Sequence, residues 1–166
     1  LEFATSCGAP KVLFLSSGAV YGPQPRDLSS FPEDFHGTPK LLDPLAAYGN
    51  AKRAAEALCG LYWSERRLPV KIARLFAFIG PRIPLARRLA AGNFIRDGLR
   101  RIPITVTGSG ASIRTYLHAA DMTAHLLTVL TNGVPARAYN VGGRQSISIR
   151  RLAENTIHKG PRICEG

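Results

Sequence analysis

The sequence predicts an α/β protein built on parallel strands. Three observations predict it. Lys11-Val12-Leu13-Phe14-Leu15 is a nearly continuous apolar run, and such runs belong to strands covered on both faces. Ala46 to Arg67 places Ala51, Ala55, Leu58 and Tyr62 on one face of a helix, with charge elsewhere. Val70 to Phe76 is a second strand-like run, so strand, helix and strand follow in the order of a right-handed parallel crossover.

Taken in order, Leu1-Glu2-Phe3-Ala4 reads as the interior of an amphipathic helix, and Ser16-Ser17-Gly18 ends the first strand. Gly22 to about Pro44 is a long loop rich in Pro, Ser, Asp and Gly. Loops of that length inside a compact domain are usually functional, and Phe31, Phe35 and Leu41-Leu42 are its candidate anchors. Leu68-Pro69 stops the long helix. Beyond Gly80-Pro81 the elements shorten: a helix over Asn93 to Arg101, a strand over Ile102 to Val106 and the turn Gly108-Ser109-Gly110. A helix from His118 to Leu130 repeats Ala119, Met122, Leu126, Leu127 and Leu130 at helical spacing, which puts Met122 in a core. Tyr139 to Gly142 reads as a strand, and Ser148 as the start of a last helix before a weakly patterned tail, Lys159 to Gly166.

An apolar fraction of 45% over 166 residues is ordinary for a chain that buries a core. No run of about 18 apolar residues occurs, and the first residues lack the layout of a signal peptide, which gives the expectation of a cytoplasmic protein with no membrane partner. Cys7, Cys59 and Cys164 have neither metal-ligand spacing nor an even count; they read as free thiols, Cys59 buried, with no metal site. The charge of +11 comes mostly from arginines, in doublets at Arg66-Arg67, Arg87-Arg88, Arg100-Arg101 and Arg150-Arg151. These are scattered over several helices without interleaved aromatics, so nucleic acid is not the expected partner.

The chemistry centres on Tyr48-Gly49-Asn50-Ala51-Lys52. A spacing of four puts phenol and ammonium about one turn apart on one helix face, and a fixed cation favours loss of the phenol proton, which suits Tyr48 to acid and base work. The same spacing also arises from an aromatic ring packed under a lysine stem. Ser16-Ser17-Gly18-Ala19-Val20-Tyr21-Gly22 adds a hydroxyl at the C-terminal end of a strand, where open α/β sheets place their sites.

With these two motifs in view, the sequence resembles the extended short-chain dehydrogenase/reductases, and among them the NAD-dependent epimerase/dehydratase family that includes UDP-glucose 4-epimerase. Three further segments carry the resemblance in the family's order: Ala73 to Arg82, Gly108-Ser109-Gly110 through Arg114 to His118, and Tyr139 to Gly143. The resemblance implies the C-terminal part of a Rossmann-type doubly wound parallel sheet plus a small α/β substrate-binding subdomain. It assigns residues 1–80 to the NAD-binding domain with the catalytic residues. It assigns residues 81–166 mainly to binding of a nucleoside-diphosphate sugar, with a returning strand near 138–142.

By the same resemblance Ser17, Tyr48 and Lys52 are catalytic, and Lys52 holds the nicotinamide ribose. Ser16, Tyr48, Lys52 and Phe76 are cofactor contacts, and Ser17, Asn93 and Arg114 meet the substrate. Arg114 would bind the diphosphate, for which a guanidinium fork is suited; a solvated turn arginine is the other reading. Asn93 equally suits a helix N-cap, Asp121 is explained by the dipole of its helix, and His118 reads as structural. The long helix resembles one that pairs subunits, implying a homodimer.

Three departures qualify the picture. No G-x-x-G-x-x-G turn occurs, although the family holds the NAD pyrophosphate there; the expectation is the C-terminal part of a longer protein. Ala77 stands where the family often has asparagine. Gly18-Ala19 stands where sugar 4,6-dehydratases carry an acidic pair, which favours epimerisation over dehydration.

Overall fold

A computed structural model describes residues 1–81, 83, 85, 89–157 and 163–165. Arg82 and the Arg87-Arg88 doublet lie outside them, as do most of the Lys159–Gly166 tail and the side chain of Cys164. The elements run α1 (Glu2–Ser6), β1 (Val12–Ser17), α2 (Ala47–Arg66), β2 (Val70–Leu75), β3 (Phe78–Ile79), α3 (Ala90–Leu99), β4 (Ile104–Val106), β5 (Ile113–Thr115), β6 (Leu117–His118), α4 (Ala119–Asn132), β7 (Ala138–Val141), β8 (Ser146–Ser148), α5 (Ile149–Ile157) and β9 (Ile163–Glu165). No described helix is long and apolar enough to cross a membrane. The chain divides into two compact units: residues 1–76 with 122–141, and residues 77–121 with those from Gly142 onward.

The first unit is organised by a parallel sheet of order β1-β2-β7. Its register places Ser16, Arg74 and Asn140 in one row across the three strands. Side chains alternate along a strand, and α2 takes the face carrying Val12, Phe14, Val70, Ile72 and Ala138. These surround Cys59, Leu68 and Tyr62 in a core, where each fully buried aliphatic side chain contributes about 1.5–3 kcal/mol.

Of the four residues the sequence puts on the buried face of α2, Ala55 and Tyr62 are half-buried there, Tyr62 against this core, and Ala51 and Leu58 are not. Gly49 and Cys59 are buried, whereas Ala51 is exposed and Leu58 is half exposed. The buried stripe includes polar side chains, Lys52 and Glu56, that find partners at the sheet, so hydrophobicity alone does not reveal it. The 22–44 loop is held by Phe31, stacked on Tyr21 at 4.6 Å, and by Phe35 beside Phe31 at 5.3 Å. Leu41 and Leu42 are not anchors: they are 81% and 93% exposed, on the outer side of the approach to the short turn Pro44–Ala46, which Asp43 caps. Cys7 and Cys59 are free thiols, Cys59 buried as expected. Met122 is only half-buried, and α4 contains no fully buried residue.

In the second unit, α3, β4 and α5 enclose Phe94, Ile104, Val106 and Ala153. β4 pairs with β9 in parallel, β3 with β6 in parallel, and β5 with β8 antiparallel. β3, β5, β6 and β8 are two or three residues long, too short to show a period in the sequence. α3 starts at Ala90, before Asn93: Ala90 packs its first turn against this core, and Ala91 is buried beside it in sequence. Ser148 does open α5, its Oγ accepting the Arg151 N–H at 3.1 Å.

Candidate active site

β1 ends at Ser17, whose Oγ accepts the Ala19 N–H at 3.2 Å and so opens a single 3₁₀ turn, Gly18–Tyr21. α2 enters against that turn. A Cβ on Gly49 would lie 2.5 Å from the Ala19 carbonyl oxygen and 2.9 Å from Pro39 Cγ, so glycine is the residue that lets the first helical turn rest on the strand end. Tyr48, beside Gly49, is 58% exposed. One turn further, Lys52 donates to the Leu15 carbonyl at 2.7 Å, with its ammonium 5.0 Å from the Phe14 ring centre and 5.9 Å from that of Tyr48.

That carbonyl has a specific place. Val12 donates its N–H to Pro69, on the β2 side, so Leu13, Leu15 and Ser17 direct their backbone groups to the opposite edge, which pairs with no strand among the described residues. Lys52 therefore ties α2 to that edge two residues before Ser17. The structure thus gathers Ser17, Tyr48 and Lys52 around the end of β1, on a surface open to water.

Beneath them lies a polar network that the sequence did not announce. Ser16 is 2% exposed, and its Oγ donates to Glu56 Oε1 at 2.5 Å. Arg74 donates to both Glu56 oxygens, at 2.7 Å from Nη2 and 3.1 Å from Nε, and to the Tyr21 hydroxyl at 2.8 Å. Tyr21 donates to Asn140 Oδ1 at 2.8 Å, and the Asn140 N–H donates to Glu33 at 2.8 Å. Burial acts to lower the Arg74 pKa, but Glu56 and Tyr21 outweigh it and carry the guanidinium above its ordinary value. Burial, helped by the Glu56 carboxylate, raises the Cys59 thiol. One signal was available: a charged residue inside a buried strand needs a partner, and Arg74 stands between Ala73 and Leu75.

The remaining sequence candidates are placed as follows. Ser16 turns its hydroxyl to α2, not to the side of Ser17. Phe76 lies against the strand-end turn, so close that a Cβ on Gly18 would fall 2.7 Å from its ring. Asn93 and Arg114 belong to the second unit. Asn93 is inside α3, where the N-cap is Leu89, and its Oδ1 accepts from Arg96 at 3.3 Å. Arg114 is exposed on β5, not in a turn, and donates to the carbonyl of Ile113. His118 Nδ1 accepts the Ala120 N–H at 3.2 Å, a structural contact at the start of α4. A hollow of ≈ 790 Å³ in the first unit is lined by Glu33, Arg53, Glu56, Arg74 and Arg137, among others, but not by Ser17, Tyr48 or Lys52.

The model of the NAD dependent epimerase/dehydratase family matches residues 1–142. The chain belongs to this family. It is 31% identical to UDP-glucuronic acid decarboxylase 1 of Xenopus tropicalis over 98% of its own length and 38% of that protein. It is 32% identical to dTDP-D-glucose 4,6-dehydratase of Mus musculus, with 93% and 41% covered. Among solved structures, dTDP-glucose 4,6-dehydratase of Bacillus anthracis in complex with NAD superposes with a TM-score of 0.84 at 22% identity, over 99% of this chain and 53% of that one. UDP-glucose 4-epimerase of Thermotoga maritima with UDP-glucose gives 0.82, also at 22% identity, over 99% and 53%. These likenesses show the fold, the Rossmann-type α/β architecture of the extended short-chain dehydrogenase/reductases. The chain spans about two fifths of the length of the curated relatives it matches.

Proposed function

We propose that this chain belongs to an NAD-dependent epimerase acting on a nucleoside-diphosphate sugar by transient oxidation to a keto-sugar and re-reduction. In this reading Tyr48 moves the proton of the reacting hydroxyl, with the Lys52 ammonium one helical turn away, 5.9 Å from the centre of its ring. Ser17 already accepts from Ala19, so its own proton is free to polarise the substrate oxygen. NAD, when bound, supplies the uptake and return of hydride. Tyr48 and Lys52 fit the ribose diol at its nicotinamide end, with Phe76 at the adjoining strand end; the Ser16 hydroxyl, buried and given to Glu56, leaves only the backbone of Ser16 to meet the cofactor, and the sequence holds no glycine-rich turn for the pyrophosphate. Asn93 and Arg114 of the second unit are proposed for the diphosphate of the sugar nucleotide.

The observation that carries epimerisation over dehydration is Gly18. The Phe76 ring fills the space of its Cβ, so an acid at this position has no room without displacing that ring. Dehydratase, decarboxylase and ketoreductase activities are the second reading, the first two favoured by the names of the curated relatives. A non-catalytic sugar-nucleotide-binding role is the third. The free thiols Cys7 and Cys59 suit a reducing compartment, and we place the protein in the cytoplasm.

The test is turnover of UDP- and dTDP-sugars with product analysis, alongside calorimetry with NAD and with each nucleoside diphosphate. Tyr48→Phe should cost about 10²–10⁴-fold in kcat with diphosphate binding retained. Normal turnover in that variant removes the assignment; binding of the diphosphate without NAD selects the third reading.

A further inference from the structure

Tyr48, Lys52 and Glu56 follow one another at intervals of four along α2, so they lie within about 80° on one face, each about 6 Å beyond the last. Of the three, Glu56 has the most bonds to the sheet. It accepts from Ser16 on β1 and from Arg74 on β2, and Ser16 and Arg74 are paired directly across the sheet. Its carboxylate therefore reads the relative height of two strands and fixes the helix against both. The Arg74 and Glu56 side chains are 15% and 12% exposed, so water competes poorly for these bonds.

We infer that Glu56 is a positioning residue for the proton-transfer group, acting through Lys52. This rests on the reading of Tyr48 and Lys52 above. Four contacts tie the helix to the end of β1 and its turn: Gly49 on Ala19, Lys52 on Leu15, Arg53 on the Val20 carbonyl and Glu56 on Ser16. Arg53 reaches only carbonyls of the turn and the following loop, at Val20 and Gly37, not the strands themselves. Gly49 sets how near the helix comes but offers no side chain to resist rotation about its axis. Lys52 is long and flexible, and cannot both define the helix and be placed by it. Glu56, held by two donors from different strands, sets the rotation, and with it the direction from which Lys52 reaches the strand end and Tyr48 meets a substrate.

The test compares wild type with Glu56→Gln and Ser16→Ala. The first removes the charge that Arg74 binds; the second deletes only the link to β1 and is the milder change should the first fold poorly. The direct readout is the NMR signal of the Lys52 ε-methylene, assigned with Lys52→Arg, because a ring 5.0 Å away imposes a ring-current shift that reports where the ammonium sits without any turnover. Both variants should move this signal toward that of an exposed lysine. A merely structural role would lower the melting temperature and leave the signal of the folded protein unchanged, and that result overturns the inference.

In nucleotide-sugar turnover, Glu56→Gln should lower kcat about 10-fold or more with KM little changed, as expected of a misplaced reacting group. A rise in KM at constant kcat also overturns the inference. The two ideas fail separately: turnover that survives Tyr48→Phe removes the proton-transfer reading, whereas a Lys52 signal indifferent to both variants removes the role of Glu56.

Discussion

The Phe76 ring occupies the space that a side chain at Gly18 would need, 2.7 Å from the ideal Cβ position. One strand end and the 3₁₀ turn of its neighbour are thereby packed at glycine distance. Gly18→Asp should destabilise the protein by about 1–3 kcal/mol through overpacking, measured by urea unfolding. The cost should shrink when Phe76→Leu is introduced first. An equal cost in both backgrounds would mean that the ring yields freely, and the steric case against an acid at this position would go with it.

Arg74 and Glu56 form the best-shielded ion pair among the described residues. Breaking such a pair from one side leaves a charge without its partner. Arg74→Met should therefore cost about 2–3 kcal/mol, below the range for fully buried pairs because both groups retain some exposure. Adding Glu56→Gln should recover about 1 kcal/mol or more. Additive losses in the double-mutant cycle would show that the two residues act independently.

How much of this was legible in the sequence depends on what kind of force placed each residue. Apolar runs gave β1 and β2 to within a residue or two, because burial of Val12, Phe14, Val70 and Ile72 is a local pattern. Tyr48 and Lys52 were visible because a helix fixes their spacing. The face of α2 was legible only in part, at Ala55 and Tyr62, since the rest of it is chosen by partners distant in sequence: Leu15 for Lys52, and Ser16 and Arg74 for Glu56. The same holds for Tyr21 and Asn140, joined by a hydrogen bond across 119 positions. Asn93 was placed at a helix start because side chains that cap are recognisable, whereas Ala90, which packs the first turn against the core, carries no such mark.

Lys71 is 2% exposed on β2, and burial, with Lys11 nearby, lowers its pKa below the ordinary 10.5. The unfolded chain then holds this proton more tightly than the folded one. Below the folded-state pKa the penalty of burying the ammonium is present in full; as pH climbs from there toward 10.5, the unfolded state carries more protons and stability rises. Lys71→Met should raise stability near neutral pH by about 1 kcal/mol and remove this alkaline rise. Urea unfolding of both proteins across the alkaline range checks it; parallel curves would show that the amine is solvated in solution.

Ala47, Ala51, Ala54, Leu58 and Leu61 lie at alternating steps of four and three along α2, and all five are exposed, Leu58 at 51% and Leu61 at 46%. That interval is the heptad seam of paired helices, on a helix whose other side is already committed to the sheet. Small residues at one end and leucines at the other allow two copies to approach closely, and an antiparallel pair would set alanines of one against leucines of its partner. We therefore propose that the protein is a homodimer through α2. Leu58→Glu with Leu61→Glu should convert dimer to monomer in light scattering: the glutamates would desolvate at the seam, where the copies gain most of their contact. The core around Cys59 lies on the opposite side, so circular dichroism should remain that of the folded protein. A wild-type chain that is monomeric at all concentrations tested would leave the seam without its partner and end the proposal.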